Sequence, residues 1–217
     1  MPGWSYFNKI KGYKVYKNDY FVPMGFMYES FITKSELKKV EADYRSEAYL
    51  KAMVLSNEDI LKYSSITGYS SDDINKLNEK SKSFKSKTES FEFGQDNYFS
   101  DCKKLINNSC SDFKYTKEGF KAEITNKGND NLLFFSVPYD DGWSAYVNGK
   151  KAEIVRANIG FMAVKVNGNT KSKIEFKYNP VGFHTGIIIT IVCGIIYFMY
   201  ISVLILIYIL KRKRYAN

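Results

Sequence analysis

The most regular hydrophobic pattern lies in the second half of the chain, where apolar and polar residues alternate. From 120 to 125, Phe120, Ala122 and Ile124 are separated by Lys, Glu and Thr. A second alternation runs from 173 to 178, with Ile, Phe and Tyr between Lys and Glu. A period of two predicts strands that bury one face and expose the other.

Turn residues divide this half of the chain into short strands. Asn148-Gly149 is typical of a tight hairpin, because both positions need a positive φ. Gly160 and Asn167-Gly168-Asn169 mark further turns, and Leu132 to Val137 is apolar on both faces, as in a central strand. We therefore predict a mainly β fold with some α, in which 91–179 form an antiparallel β-sandwich of jelly-roll or immunoglobulin-like type.

The first 90 residues predict a mixed α/β segment. Thr33 with Glu36 forms a capping box, and a helical apolar stripe follows it, which predicts a helix over about 34–55. The stripe contains Leu37, Val40, Tyr44, Ala48, Ala52 and Leu55. Two short extended pieces near Tyr13 and Phe21 precede the helix. The Ser- and Lys-rich stretch from Glu79 to Ser90 indicates an exposed connector.

A long apolar segment near the C-terminus predicts one transmembrane helix, over 183–211. Gly186 to Leu210 contains no charged residue, and a helix of that length exceeds the roughly 30 Å hydrocarbon core. Lys211 to Arg214 follow directly, so the tail at 212–217 is expected in the cytoplasm and the main domain outside the cell membrane.

The start of the chain leaves two topologies open. The first 20 residues hold no apolar stretch of signal-peptide length. The chain is therefore either tail-anchored, with its domain in the cytosol, or the C-terminal piece of a protein with earlier spans. The basic cluster after the span favours the second topology, in which an upstream transmembrane domain is a partner.

Charge and composition exclude several functions. The net charge is +9, but four cations are clustered at 211–214, and without them the excess is only 28 − 23 = +5. We therefore expect no nucleic-acid partner. One His and three Cys leave little for a metal site or a His-based triad, and no cofactor motif is present. Cys102 and Cys110 are either a disulfide or two free thiols.

The segment Pro138 to Trp143 is the main candidate for chemistry. It places Asp140 and Asp141 beside Tyr139 and Trp143, a combination found in acid/base sites and on sugar-binding platforms. Adjacent residues of an extended chain point to opposite faces, so the two carboxylates are not expected to converge on one bond. These four residues are retained as ligand-binding candidates, with no catalytic and no metal-binding residue assigned.

Four stretches of the chain resemble the YfhO family of bacterial membrane proteins. They are LLFFSVPYDDGWSAYVNGKKAEIV, NIGFMAVKV, IEFKYNPVGFHTG and the earlier GYKVYKNDYFVPMGFMYES. The resemblance implies the C-terminal portion of a polytopic protein similar to GT-C glycosyltransferases, which transfer sugars from polyprenyl phosphates to envelope polymers such as lipoteichoic acid. In that family the catalytic acids lie in an outer loop early in the membrane domain, so none is carried over to these residues.

Two functions are compatible with this resemblance. The chain is either the non-catalytic outer module and last helix of such a glycosyltransferase, or a stand-alone anchored binding or structural domain or part of a permease. The expected partners are membrane lipid and an envelope polysaccharide or teichoic acid.

Overall fold

A computed structural model describes residues 3–63, 75, 76, 79 and 87–215. The chain forms two compact units, Met1–Tyr178 and Asn179–Asn217. The helices are α1 Lys34–Lys39, α2 Arg45–Lys51, α3 Asn57–Tyr63, α4 Lys87–Asn107 and α5 Phe183–Tyr215. The strands are β1 Trp4–Ile10, β2 Tyr13–Asn18, β3 Phe26–Met27, β4 Phe31–Thr33, β5 Met53–Leu55, β6 Asp112–Tyr115, β7 Gly119–Asn126, β8 Asn131–Pro138, β9 Trp143–Val147, β10 Lys150–Ala152, β11 Val155–Ala157, β12 Phe161–Val166 and β13 Thr170–Tyr178.

Two antiparallel sheets form the predicted sandwich. One has the strand order β10-β9-β13-β7-β6, and the other has the order β11-β12-β8-β3. Their facing side chains form one buried cluster, in which Phe120 and Phe176 from the first sheet meet Phe135 from the second. The hairpin at Asn148-Gly149 has positive φ at both positions. The mainly antiparallel fold is therefore confirmed.

Strand β8 is buried on both faces for a different reason from the predicted one. Leu133 and Phe135 pack into the sandwich core, whereas Leu132 and Phe134 pack into a second cluster with residues of the helical layer, including Leu105 of α4. The four-stranded sheet is thus the middle of three layers. An apolar run predicts burial on both faces, but it does not reveal which element covers the second face.

The predicted helix over 34–55 is wrong as a single element. The capping box is present, with Thr33 Oγ1 accepting from the Glu36 N–H at 3.1 Å, but α1 ends at Lys39. A 3-10 turn and α2 follow, and β5 then pairs in parallel with β4. All six residues of the predicted stripe are buried. The apolar run Met53–Leu55 adopts a strand because β4 offers it a partner that periodicity alone cannot show.

The predicted bounds 91–179 of the sandwich are wrong at the start, because α4 occupies Lys87–Asn107 and because the short strand β3, Phe26–Met27, adds an edge from far upstream. In α4, the buried residues Cys102 and Leu105 are three apart, which is a helical spacing. Cys102 and Cys110 are both buried free thiols, so the second of the two cysteine alternatives holds. The predicted connector at 79–90 lies mostly outside the described residues, and from Lys87 onward it is helical rather than a loop.

Strands β1 and β2 form a hairpin that pairs with no other strand of the described chain. Every residue of β1 is exposed, and the register shifts between Tyr6 and Asn8 at a β-bulge. At the base, the ring of Tyr20 stacks on Phe99 of α4 with centroids 4.3 Å apart. The hairpin is therefore fixed to the folded unit at its base, while its faces lie in solvent.

Helix α5 is long and apolar enough to cross a membrane over Phe183–Arg212. Two of its hydroxyl groups donate within the helix: Thr190 to the Gly186 carbonyl and Ser202 to the Phe198 carbonyl, both at 2.8 Å. Such internal bonds suit a lipid environment, where no water is available to polar groups.

Candidate functional site

Asp140 serves the backbone of the loop between β8 and β9. Its carboxylate accepts the Gly142 N–H at 2.8 Å, and its carbonyl accepts the Trp143 N–H at 3.1 Å. Desolvation, followed by the charge of Asp140, raises the pKa of the neighbouring Tyr178. These contacts are those of a structural turn residue.

Trp143 packs as an aromatic residue at the rim of the sandwich core. Its ring lies 4.8 Å from Tyr178, 5.7 Å from Phe120 and 6.2 Å from Phe176 between centroids. The side chain is half-buried, so only part of its surface is open to solvent. These structural contacts of Trp143 and Asp140 do not test whether the two residues bind a ligand, so that role stays a prediction.

Tyr139 and Asp141 meet a residue that sequence reasoning missed, Arg156. The Arg156 guanidinium lies over the Tyr139 ring, 4.0 Å from its centroid, and 3.6 Å from the Asp141 carboxylate. The Tyr139 hydroxyl donates to Asp141 at 3.0 Å. The two neighbouring aspartates therefore have different partners. A charged residue between two apolar neighbours in a short strand is the signal that points to Arg156.

A second surface, also missed by the sequence, is a concave region on the outer face of the five-stranded sheet, here called the outer groove. Its volume is about 740 Å³, within the ordinary range for ligand sites. Three lysines and three acids line it together with Tyr115 and the Asn148-Gly149 turn. The charged residues are Asp112, Lys114, Lys121, Glu123, Lys173 and Glu175.

The strand register brings like charges together in the outer groove. Lys114 lies directly opposite Lys121, and Asp112 lies opposite Glu123. Such pairs are unfavourable on their own, so the lysines take acid partners, Lys114 with Asp112 at 2.9 Å and Lys121 with Glu175 at 3.1 Å. The groove thus holds two adjacent cations, each paired with an acid.

Glu123 is held as a carboxylate within the outer groove. A hydrogen bond from Lys171, followed by the charges of Lys171 and Lys173, lowers its pKa. Tyr115 borders the groove and is 78% exposed, and its ring contacts Phe113 edge to face at 5.1 Å between centroids. The surface therefore combines fixed charges of both signs with an exposed aromatic side chain.

The described residues show no metal-ligand cluster, and two of the three cysteines are buried free thiols. They contain no group of three or more His, Cys, Asp or Glu side chains placed to hold a metal ion. Burial raises the pKa of the Cys110 thiol to about 12 and also raises that of Cys102, so both thiols are protonated and poorly nucleophilic at neutral pH.

One family model matches the chain, that of "Bacterial membrane protein YfhO", over residues 92–190. The match includes most of α4, strands β6 to β13 and the first residues of α5, whereas the resembling stretch at 12–30 lies outside it. No curated protein and no solved structure matches the chain. The part of the chain over 92–190 is therefore similar to the YfhO family of bacterial membrane proteins.

Proposed function

We propose that the chain is the extracytoplasmic, non-catalytic module and last membrane helix of a YfhO-like membrane protein. The parent protein would be a glycosyltransferase that uses polyprenyl-phosphate sugars to modify an envelope polymer such as lipoteichoic acid. The observation that carries the proposal is the family match, which runs without interruption from the sandwich into the apolar helix. The sandwich and the first residues of the apolar helix thus lie within one family-matched region.

The role we assign to the module is to hold the acceptor polymer in the outer groove. Teichoic acids are chains of phosphates and polyols, so they present repeated anions between hydroxyl groups. Lys114 and Lys121, side by side across two strands, offer cations for a phosphate, and the exposed Tyr115 ring offers an apolar face for the carbon chain.

Binding of delipidated lipoteichoic acid to the whole chain in a neutral detergent tests this role. We expect Tyr115→Ala and Lys114→Gln each to weaken binding about fivefold, which corresponds to the loss of roughly 1 kcal/mol. The matched controls are Tyr13→Ala, whose ring is also 78% exposed, and Lys127→Gln, an exposed lysine of another loop. Equal affinity in all four variants would contradict the assignment of the groove.

The non-catalytic part of the proposal has its own test. The purified chain is expected to leave a polyprenyl-phosphate-linked sugar intact when an envelope polymer is supplied as acceptor. Turnover of that sugar donor by the chain would show that it contains a catalytic centre.

The orientation part rests on the cluster Lys211 to Arg214, which follows the apolar segment and favours a cytoplasmic tail. Trypsin added to intact cells is expected to cleave the lysine-rich sandwich. Cleavage that occurs only after lysis would place the sandwich in the cytoplasm, where it could not bind an envelope polymer, and would contradict the proposal.

A further inference from the structure

The hairpin β1–β2 exposes an aromatic surface that the folded unit does not use. Its exposed large side chains are Trp4, Tyr6, Phe7, Ile10, Tyr13 and Tyr16. Phe7 lies at the β-bulge and is 65% exposed, and the Tyr6 and Tyr16 rings contact each other edge to face at 6.0 Å. An exposed apolar patch on a protein surface marks an interaction site.

The charge of the hairpin selects the class of partner. Lys9, Lys11, Lys14 and Lys17 lie among the aromatic residues, and Asp19 is the one acid between 3 and 20. The carboxylate of Asp19 accepts a hydrogen bond from Ser5 at 2.8 Å at the base of the hairpin, away from the turn. The tip and middle of the hairpin are therefore cationic as well as aromatic.

Protein surfaces that lie in the headgroup layer of a bilayer are typically rich in tryptophan, tyrosine and lysine. The rings occupy the boundary between polar and apolar regions, and the lysines are attracted to anionic lipid. A two-stranded hairpin is only marginally stable in water, so a contact along its faces would also order it. Only residues 179–182 separate the last strand from α5 in the sequence, and α5 is long and apolar enough to cross a membrane.

We propose that the hairpin β1–β2 is a lipid-contacting element that inserts its aromatic side chains into the headgroup layer of an anionic membrane. The occupant of this surface is the bilayer itself, recognised by its negative charge and its polar–apolar boundary. The hairpin lies outside the family-matching region 92–190, so this property belongs to the segment before the sandwich strands, here called the lead-in, and not to the sandwich.

The two tryptophans of the chain allow a direct test. In a Trp143→Phe variant of the whole chain, Trp4 is the remaining tryptophan, and the variant is placed one copy per lipid nanodisc. With brominated acyl chains in discs of phosphatidylglycerol and phosphatidylcholine, we expect Trp4 fluorescence to fall at least about twofold. In the Trp4→Phe variant, the half-buried Trp143 is the reporter, and it is expected to be unaffected.

Charge variants identify the kind of lipid that is contacted. Replacing Lys9, Lys11, Lys14 and Lys17 with Gln is expected to abolish the quenching in anionic discs. The matched control replaces the same number of exposed lysines elsewhere, Lys117, Lys127, Lys150 and Lys151, and is expected to keep it. Quenching that is equal in pure phosphatidylcholine, or equal in both lysine variants, would contradict recognition of anionic lipid.

Other occupants give distinguishable results. A change in Trp4 emission that requires two copies per disc would assign the surface to a second copy of the chain and overturn the proposal. So would full quenching of Trp4 by a water-soluble quencher in anionic discs. Hydrogen exchange of residues 4–18 needs no tryptophan substitution, and we expect about tenfold slower exchange in anionic than in neutral discs. Equal exchange rates would also overturn the proposal.

Discussion

The hairpin β1–β2 and the strand pair β7–β13 are built from similar residues and bury them differently. Both pairs are antiparallel and rich in aromatic and lysine side chains. In β7–β13, Phe120 and Phe176 stack at 4.7 Å and are almost fully buried, whereas the rings of Tyr6 and Tyr16 are at least half exposed. The difference is a second sheet facing β7–β13. Aromatic content alone therefore does not predict a core.

Among variants that test this difference in burial, we expect Phe176→Ala to have the largest effect on stability. Phe176 is 0% exposed and contacts the rings of Phe120, Phe135 and Trp143. Its removal leaves a cavity between the sheets, so we expect the free energy of unfolding to fall by about 3–5 kcal/mol. Urea unfolding of the chain in neutral detergent measures this.

The control for Phe176→Ala is Tyr115→Ala, which removes an exposed ring from the same sheet. We expect it to change the free energy of unfolding by no more than about 0.5 kcal/mol. Similar losses in both variants would show that the sheet faces are not energetically distinct.

The next largest effect is expected from Asn158→Ala, which tests how the lead-in is joined to the sandwich. The Asn158 amide accepts the Val54 N–H at 2.7 Å and donates to the Tyr28 hydroxyl at 3.1 Å. Asn158 also has a positive φ of 47°. Alanine removes the side-chain acceptor of the buried Val54 N–H and one of two partners of the Tyr28 hydroxyl, which still donates to the Tyr49 carbonyl at 2.9 Å. We therefore expect a loss of about 3 kcal/mol in thermal or urea unfolding.

The control for Asn158→Ala is Asn169→Ala. Asn169 has a φ of 52° but is exposed, so this variant carries the backbone strain without the lost buried contacts. We expect a loss of about 1 kcal/mol from the strain. Equal losses in the two variants would assign the whole effect of Asn158 to its backbone.

Sequence reasoning succeeded where one residue or one period decides the outcome. Local chemistry is enough for three elements. The alternation at 120–125 specifies a strand, Asn148-Gly149 specifies a turn, and the apolar run from Gly186 to Leu210 specifies a helix. It failed where a distant partner decides, as at Met53–Leu55, which is a strand only because β4 lies beside it.

The candidate surfaces follow the same division. The residues of the loop from Tyr139 to Trp143 are adjacent in sequence and were found directly, whereas Arg156 reaches Tyr139 from another strand. The charged residues of the outer groove lie on β6, β7 and β13, which are neighbours in the sheet. No motif in the sequence predicts that strand order. Sites assembled by strand pairing are therefore the ones that sequence reasoning misses.

A smaller effect is expected in how the stability of the lead-in and of the sandwich depends on pH. In the lead-in, burial of Glu47, with Asp101 nearby, raises the Glu47 pKa even though Lys51 opposes this. In the sandwich, the Gly168 N–H and Lys165 lower the pKa of Asp130. A raised carboxyl pKa gives stability that is present at low pH and lost as pH rises through the raised value. A lowered pKa gives stability that is present at neutral pH and lost on acidification.

The two carboxyl groups therefore predict opposite results for their amide variants. We expect Glu47→Gln to stabilise the chain at neutral pH and Asp130→Asn to destabilise it. The Glu47 difference should vanish below the usual carboxyl range, and the Asp130 difference only below the lowered pKa of Asp130, because each carboxyl is then uncharged in both the folded and the unfolded state. Thermal unfolding at a series of pH values measures them. Shifts of the same sign at neutral pH would contradict the contrast between the regions.

The smallest effect is expected from Phe7→Ala in the hairpin. Phe7 is 65% exposed at the β-bulge, so its removal creates no cavity and breaks no core contact. We expect the free energy of unfolding in neutral detergent to change by no more than about 0.5 kcal/mol. A loss comparable to that of Phe176→Ala would show that the ring packs within the folded unit. A small change means instead that this aromatic surface adds nothing to the stability of the unit that carries it, so its physical role lies in a contact beyond that unit.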